Sequence, residues 1–200
     1  MQTEANMLDR NEAWALLREQ NPDEALVAHS LQSEAVLSEL ASHFDRDTEL
    51  WGIIGLLHDL DFPRTRNDPS RHGLIAAEEL SERLPPEAIR AIQAHNSEGN
   101  GTPPESELDY ALRCGESVTG LISANALVRP QGMEGMKPSS LKKKMKDKSF
   151  AAGVSRERIR ECEKLGLELD EFLRIGIQGL TRIADLPEAG LTPNSSNKPD

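Results

Sequence analysis

Trp51-Gly-Ile-Ile-Gly-Leu-Leu-His-Asp-Leu60 is the stretch on which the reading of this chain turns. Gly52 to Leu57 carries no polar side chain, so as a helix it is apolar nearly all round and belongs at the centre of a helical assembly. Phe62-Pro63 follows at once and predicts its end. An ionised Asp59 closing such a buried run costs several kcal/mol unless it is paired or bound to a metal. The pair His58-Asp59 therefore reads as functional.

Outward from that pair, four of the five histidines fall in the order His29, His58, His72 and His95, each among apolar helical sequence, and Glu116 follows on a later apolar stretch. Neutral imidazole and ionised carboxylate are the donors that borderline and hard divalent metals prefer, and a helical bundle can aim them into one pocket. A single histidine on an apolar helix is ordinarily a core residue bonded to a carbonyl, so it is the set that carries the signal. Adjacent helical residues point about 100° apart, so one of His58 and Asp59 can serve a metal while the other bridges toward a second or bonds in a different direction. His29, His58, Asp59, His72, His95 and Glu116 are the candidate metal ligands. His43, near a helix end, is read as structural or exposed.

Helical periodicity dominates the rest, and aromatics at 4% with few β-branched runs leave little to build a sheet from. The fold class expected is all-α. Met7 to Glu19 reads as a first helix; Asn21-Pro-Asp23 opens a second, capped by Asp23, that runs to about His43. Arg64 to Arg71 is a loop, Ser70 is placed to cap a helix from Arg71 to about Arg83, and Pro85-Pro86 opens the helix carrying His95. Asn96 to Pro104 is a break before a long buried helix from Leu108 to Val128, which Arg129-Pro130 ends. Gln131 to Pro138 is a connector, short basic helices follow, and Leu167 to Ala184 is amphipathic. The chain divides into an N-terminal helix (1–20), a core (21–130), a basic connector with C-terminal helices (131–186), and a tail (187–200) whose Pro, Asn and Ser predict disorder.

Composition narrows the partners. The formal net charge of −11 disfavours DNA, yet Lys137 to Arg160 holds nine Lys or Arg against Asp147 and Glu157, so this segment carries +7 and the remainder −18. A small anionic ligand suits such a segment. Cys114 and Cys162 lack ligand spacing and read as buried reduced thiols. No apolar run approaches the ~20 residues of a membrane span, and no secretory signal opens the chain, so a soluble cytoplasmic protein is expected.

With Gly55-Leu-Leu-His-Asp-Leu60 at its centre, the pattern H…HD…H…H…D/E from about His29 to Pro130 resembles the HD superfamily of metal-dependent phosphohydrolases, in particular small HDIG-related proteins. Ala124 to Pro130 and Lys142 to Ser155 also look like the downstream part of that group. The resemblance implies a multi-helix HD-domain bundle with a C-terminal helical extension, binding one or two divalent ions (Mn, Fe, Mg, Co, Ni or Zn). It implies that His29, His58, Asp59 and the acid at 116 hold a first metal, with Asp59 bridging to a second held by His72 and His95. The implied chemistry is hydrolysis of a small phosphoester or nucleotide by a metal-activated water.

The sequence departs from the family pattern twice. The last ligand is usually Asp, whereas this chain has Glu116, one methylene longer. After the HD pair many members place a lysine that assists substrate binding; here Leu60-Asp61-Phe62 follows. Asp61 is a candidate catalytic acid or base, with a loop cap as its alternative. The substrate's cationic contacts must then come from elsewhere. Arg64, Arg129, Lys142 and Lys143 are the candidates, Arg129 first because a guanidinium at the end of a buried helix can grip a phosphate with two hydrogen bonds. Two further readings stay open: a di-iron HD-domain oxygenase, and a non-catalytic signalling or scaffold domain.

Overall fold

The computed structural model describes residues 7–193. Residues 1–6 of the N-terminal segment and 194–200 of the tail lie outside the described residues. Eleven α-helices form, with no strand among the described residues. They are α1 (Arg10–Glu19), α2 (Glu24–His43), α3 (Thr48–Leu57), α4 (Phe62–Thr65), α5 (Leu74–Leu80), α6 (Pro86–Ala94), α7 (Ser97–Asn100), α8 (Glu107–Leu127), α9 (Pro138–Lys146), α10 (Arg156–Arg160) and α11 (Leu169–Arg182). The chain is all-α, as its sequence predicts.

The long helices start where the sequence supplies an acceptor for their free amides. The Asp23 carboxylate accepts from the Leu26 N–H at 2.9 Å, and Ser106 and Asp109 close a reciprocal capping box on α8. Asp9 and Glu12 do the same on α1. Ser70 does not cap: its hydroxyl donates to Asp68, and α5 begins only after Gly73, whose φ of +84° a side chain would strain. The chain from 58 to 73 therefore runs as turns around the short α4, which leaves Asp59, Asp61 and His72 free of helical periodicity.

Helix α2 is the spine, with α3, α8 and α11 laid against it. The approach of α3 is close: a Cβ on Gly55 would stand 2.6 Å from the Ser33 carbonyl oxygen, so only glycine lets the two backbones meet there. Ile54, Leu56 and Leu57 on α3 are buried with Leu37 and Leu40 of α2 and Leu112 and Leu121 of α8. One core runs across the compositional boundaries, since Leu17 of α1 and Phe172, Leu173 and Leu180 of α11 belong to it.

The tail expected from 187 is not free at its start. Pro187–Ala189 forms a 3₁₀ turn, Ala189 and Leu191 are buried, and the Gln32 amide donates to the Ala189 carbonyl at 2.8 Å. A local composition rich in Pro misses this because the partner lies 157 residues away. Among the described residues no helix is long and apolar enough to cross a membrane.

Candidate metal centre

The five donors His29, His58, Asp59, His72 and His95 converge from different parts of the bundle. His29 lies on α2, His58 and His95 are the residues that follow α3 and α6, and His72 sits in the turn before α5. At both helix ends the ring satisfies a last-turn carbonyl: His58 Nδ1 donates to Gly55 O at 2.8 Å, and His95 Nδ1 to Ile92 O at 2.5 Å. A carbonyl only accepts, so each ring carries its proton on Nδ1 and turns an Nε2 lone pair inward.

The other two rings are held the same way. The Thr119 hydroxyl donates to Glu116 O at 2.6 Å and is left to accept from His29 Nδ1 at 3.2 Å. Asp61 Oδ1 accepts from His72 Nδ1 at 2.8 Å. All four Nε2 atoms therefore face the centre. His29 and His58 bring theirs to 3.1 Å from each other, and His72 and His95 to 3.0 Å. Asp59 stands between the pairs, with Oδ1 at 3.1 Å from His72 Nε2 and 3.3 Å from His95 Nε2, and Oδ2 at 3.7 Å from His29 Nε2.

These atoms form two triads, His29 with His58 and Asp59, and Asp59 with His72 and His95. Opposed nitrogen lone pairs about 3 Å apart repel unless positive charge lies between them, so the donor set fits a cation in each triad. Protonation follows the same logic. Burial pushes the fully enclosed His58 down to about 3, in the neutral ligand form. Burial alone would raise the Asp59 carboxyl, but His58, His72 and His95 outweigh it and hold it well below the usual carboxylate range. His72 is pushed up to about 9, because hydrogen bonds to Asp59 and Asp61 overcome its burial. The two carboxylates that hold a proton on His72 favour any cation there, and a divalent ion displaces the proton.

Asp61 is a positioning group, not an open acid or base. It is fully buried, Oδ1 takes the His72 ring, and Oδ2 accepts from the Gly73 and Ala76 N–H groups at 2.9 Å each. The carboxylate thus caps α5 from a preceding turn and fixes the His72 ring in one step. His95 is held from behind by Arg113, which is 2% exposed and donates to Ala94 O and His95 O at 3.2 Å. Gly73 is required here on a second count, since a Cβ would stand 3.1 Å from the His95 ring.

Glu116 stands outside both triads. Its Oε2 is 3.9 Å from His29 Nε2, and its Oε1 accepts from Ser117 Oγ at 2.7 Å and Arg158 Nη1 at 3.2 Å. It faces a cavity of about 550 Å³ that meets the centre at His29 and is walled by Glu98, Ser117, Glu157 and Arg158. None of the four cations expected to meet substrate lines this cavity. Arg64 pairs with Glu79 at the surface, Lys142 pairs with Asp170, and Lys143 is exposed on α9. Arg129 donates to Glu134 O at 2.6 Å beyond the end of α8, roughly 20 Å along the helix from Glu116 at 1.5 Å per residue.

Arg158 is the arginine that lines it, and its sequence signal was the basic segment from 137 to 160 rather than any motif. Ser155 caps the short α10 by accepting from the Arg158 N–H at 3.2 Å, which sets the arginine's direction. Thr119 and Arg113 gave no signal, because they act through a ring nitrogen and backbone carbonyls that only folding brings near.

The family model for the HD domain matches residues 26–147, more than half of the chain and the whole ligand set. Neither the curated proteins nor the solved structures give a significant match. With five donors gathered as two triads around Asp59 inside the matched span, the chain belongs to the HD domain family, a family of metal-dependent phosphohydrolase type.

Proposed function

We propose that this protein hydrolyses a small phosphoester at a two-ion centre, with Asp59 shared between the ions. The observation that carries the reading is the inward turn of four imidazole Nε2 atoms around one carboxylate, each ring fixed by a partner on Nδ1. His29, His58 and Asp59 would hold one ion, and Asp59, His72 and His95 the other. When bound, such ions lower the pKa of a water and neutralise charge on phosphoryl oxygens.

The chain's own groups supply the rest. Arg158 is the cation of the adjoining cavity, and its two amino groups are positioned to bind phosphoryl oxygens in place of Glu116 and Glu98. Glu116 and Glu98 hold that guanidinium at the mouth before substrate arrives. Asp61 keeps the His72 ring aimed and the Ile92 carbonyl the His95 ring, with Arg113 bonded to the His95 backbone carbonyl, so little reorganisation accompanies binding. The cavity's carboxylates, Glu98, Glu116 and Glu157, outnumber its single arginine, which favours a monophosphate over a triphosphate.

The experiment is elemental analysis of the purified protein followed by a phosphoester panel under air and under argon. Two equivalents of metal and phosphate release in both atmospheres are expected, with both lost in Asp59→Ala and with the ion of the His29 triad and turnover lost in His58→Ala. Full turnover by a metal-free Asp59→Ala protein would overturn the proposal, and turnover that requires oxygen would replace it by the oxygenase reading.

A further inference from the structure

Away from the metal centre, a second and smaller cleft of about 200 Å³ lies between α9 and α10, closed by Leu169 at the start of α11. Four cations surround it: Lys142 and Lys146, one turn apart on α9, and Arg156 and Arg160, one turn apart on α10. Like charges at a spacing of four residues on one helix repel, and here two such pairs face each other. The arrangement carries a Coulombic cost that an anion in the cleft would remove.

The folded chain neutralises it only at the rim. Lys142 pairs with Asp170, and Arg160 lies 3.8 Å from Glu163 with both side chains more than half exposed, a pair that water screens heavily. Lys146 has no carboxylate partner among the described residues. The Arg156 guanidinium is fixed by the carbonyls of Ala151 at 2.6 Å and Val154 at 2.7 Å, with further bonds to Asp147 and Phe150. Those acceptors take its amino groups and no net charge, and its Nε is buried without a partner. Arg156 is thus a rigid cation on the cleft wall. The apolar residues Met145 and Leu169 complete the floor.

The cleft is separate from the catalytic cavity although α10 borders both. At about 100° per residue, Arg156 and Arg160 share one side of the helix, and Arg158 points to the other. They line the basic cleft, and Arg158 lines the cavity at His29.

We infer that the cleft between α9 and α10 is a binding site for a small phosphate-bearing anion, of the size of inorganic phosphate or diphosphate. Lys146 and Arg160 supply donors and Lys142 and Arg156 further positive charge around a volume this small, which suits compact, multiply charged oxyanions and disfavours a cationic ligand. Four of the nine cations of the basic segment thus line one ligand-sized feature.

The test is calorimetric titration of the purified protein with inorganic diphosphate at constant ionic strength. The double variant Lys146→Gln/Arg160→Gln removes two exposed charges from the cleft, and Lys137→Gln/Lys164→Gln removes two from exposed positions elsewhere. Saturable binding is expected, at least tenfold weaker in the cleft variant, within twofold of wild type in the charge-matched control and in Arg158→Gln, and unchanged by a chelator that strips bound metal. Circular dichroism verifies that each variant is folded. Equal losses in the two double variants would reduce the effect to overall charge and overturn the inference. So would binding that vanishes with the chelator and survives in the cleft variant, because the anion would then occupy the metal centre. Loss of hydrolysis in His58→Ala with diphosphate affinity retained would separate this site from the function proposed above.

Discussion

Replacing Asp61 by Asn tests whether a residue that touches no substrate sets the strength of the second triad. The carboxylate offers Oδ1 to His72 Nδ1 at 2.8 Å and Oδ2 to the Gly73 and Ala76 amides at 2.9 Å, all in a fully buried position. An amide has one oxygen for these two tasks. Turned with its oxygen to His72, it sets an NH₂ against two buried N–H donors, each then unpaired at about 1–3 kcal/mol. The opposite orientation keeps the α5 cap and costs less, but its NH₂ must donate to His72 Nδ1. The ring proton then moves to Nε2, and the lone pair that faces Asp59 is lost. Loss of such a supporting contact typically weakens metal affinity by about 10–100-fold, or roughly 1.4–2.7 kcal/mol. Competition titration against a chromophoric chelator should show one site weakened by that factor and the other, built on His29 and His58, retained. Nitrogen-15 correlation spectra of the histidine rings should show the His72 proton shifted from Nδ1 to Nε2. Two ions bound at wild-type affinity, with the His72 proton still on Nδ1, would refute the reasoning.

Three further outcomes follow from the same contacts. Gly55→Ala places a methyl 2.6 Å from the Ser33 carbonyl oxygen, so α2 and α3 must separate; a loss of about 1–3 kcal/mol is expected, read as a melting temperature lower by roughly 3–10 °C. Arg158→Gln should raise KM for a phosphomonoester about tenfold or more, by removing the cavity's only arginine, and an unchanged KM would exclude the residue from substrate binding. The Glu98 carboxyl is held below its ordinary value of 4.5, chiefly by hydrogen bonds from Arg113 and then Arg158. Because the folded value is depressed, its stabilising contribution is present above pH 4.5 and lost as pH falls through the folded value. Glu98→Gln should therefore melt below wild type at pH 7 and converge with it under acid, by a small margin, since the side chain is 57% exposed.

Much of the architecture could be read from local patterns. The apolar run before His58, the Asp23 cap and the Pro85-Pro86 start each act within one or two helical turns, and the helices form where those signals lie. The ligands were legible for a different reason: imidazole and carboxylate at the ends of apolar runs carry a burial cost that only pairing or a cation offsets. Local composition fared worst between 58 and 73 and after 187. Ser70 caps nothing because its hydroxyl goes to Asp68 while Asp61 takes the amides at the start of α5, and Pro187 to Leu191 is packed on α2 through a partner 157 residues away.

By itself the sequence determined that this chain is helical and that His58-Asp59 lies at its centre, and it offered four histidines, Asp59 and Glu116 as the set to be gathered. Their division into two pairs sharing Asp59 was implied only by resemblance, and the tertiary structure showed it in five of them, because it depends on α2, α3, α5 and α6 meeting at one point. It also made Asp61 a buried support, set Glu116 at the edge of the cavity, and put Arg158 on the cavity wall with Arg129 and the lysines elsewhere. Ligand type is a property of a residue, whereas the direction of a charged side chain depends on where its helix is packed. Chemistry was therefore legible one residue at a time, and geometry was not.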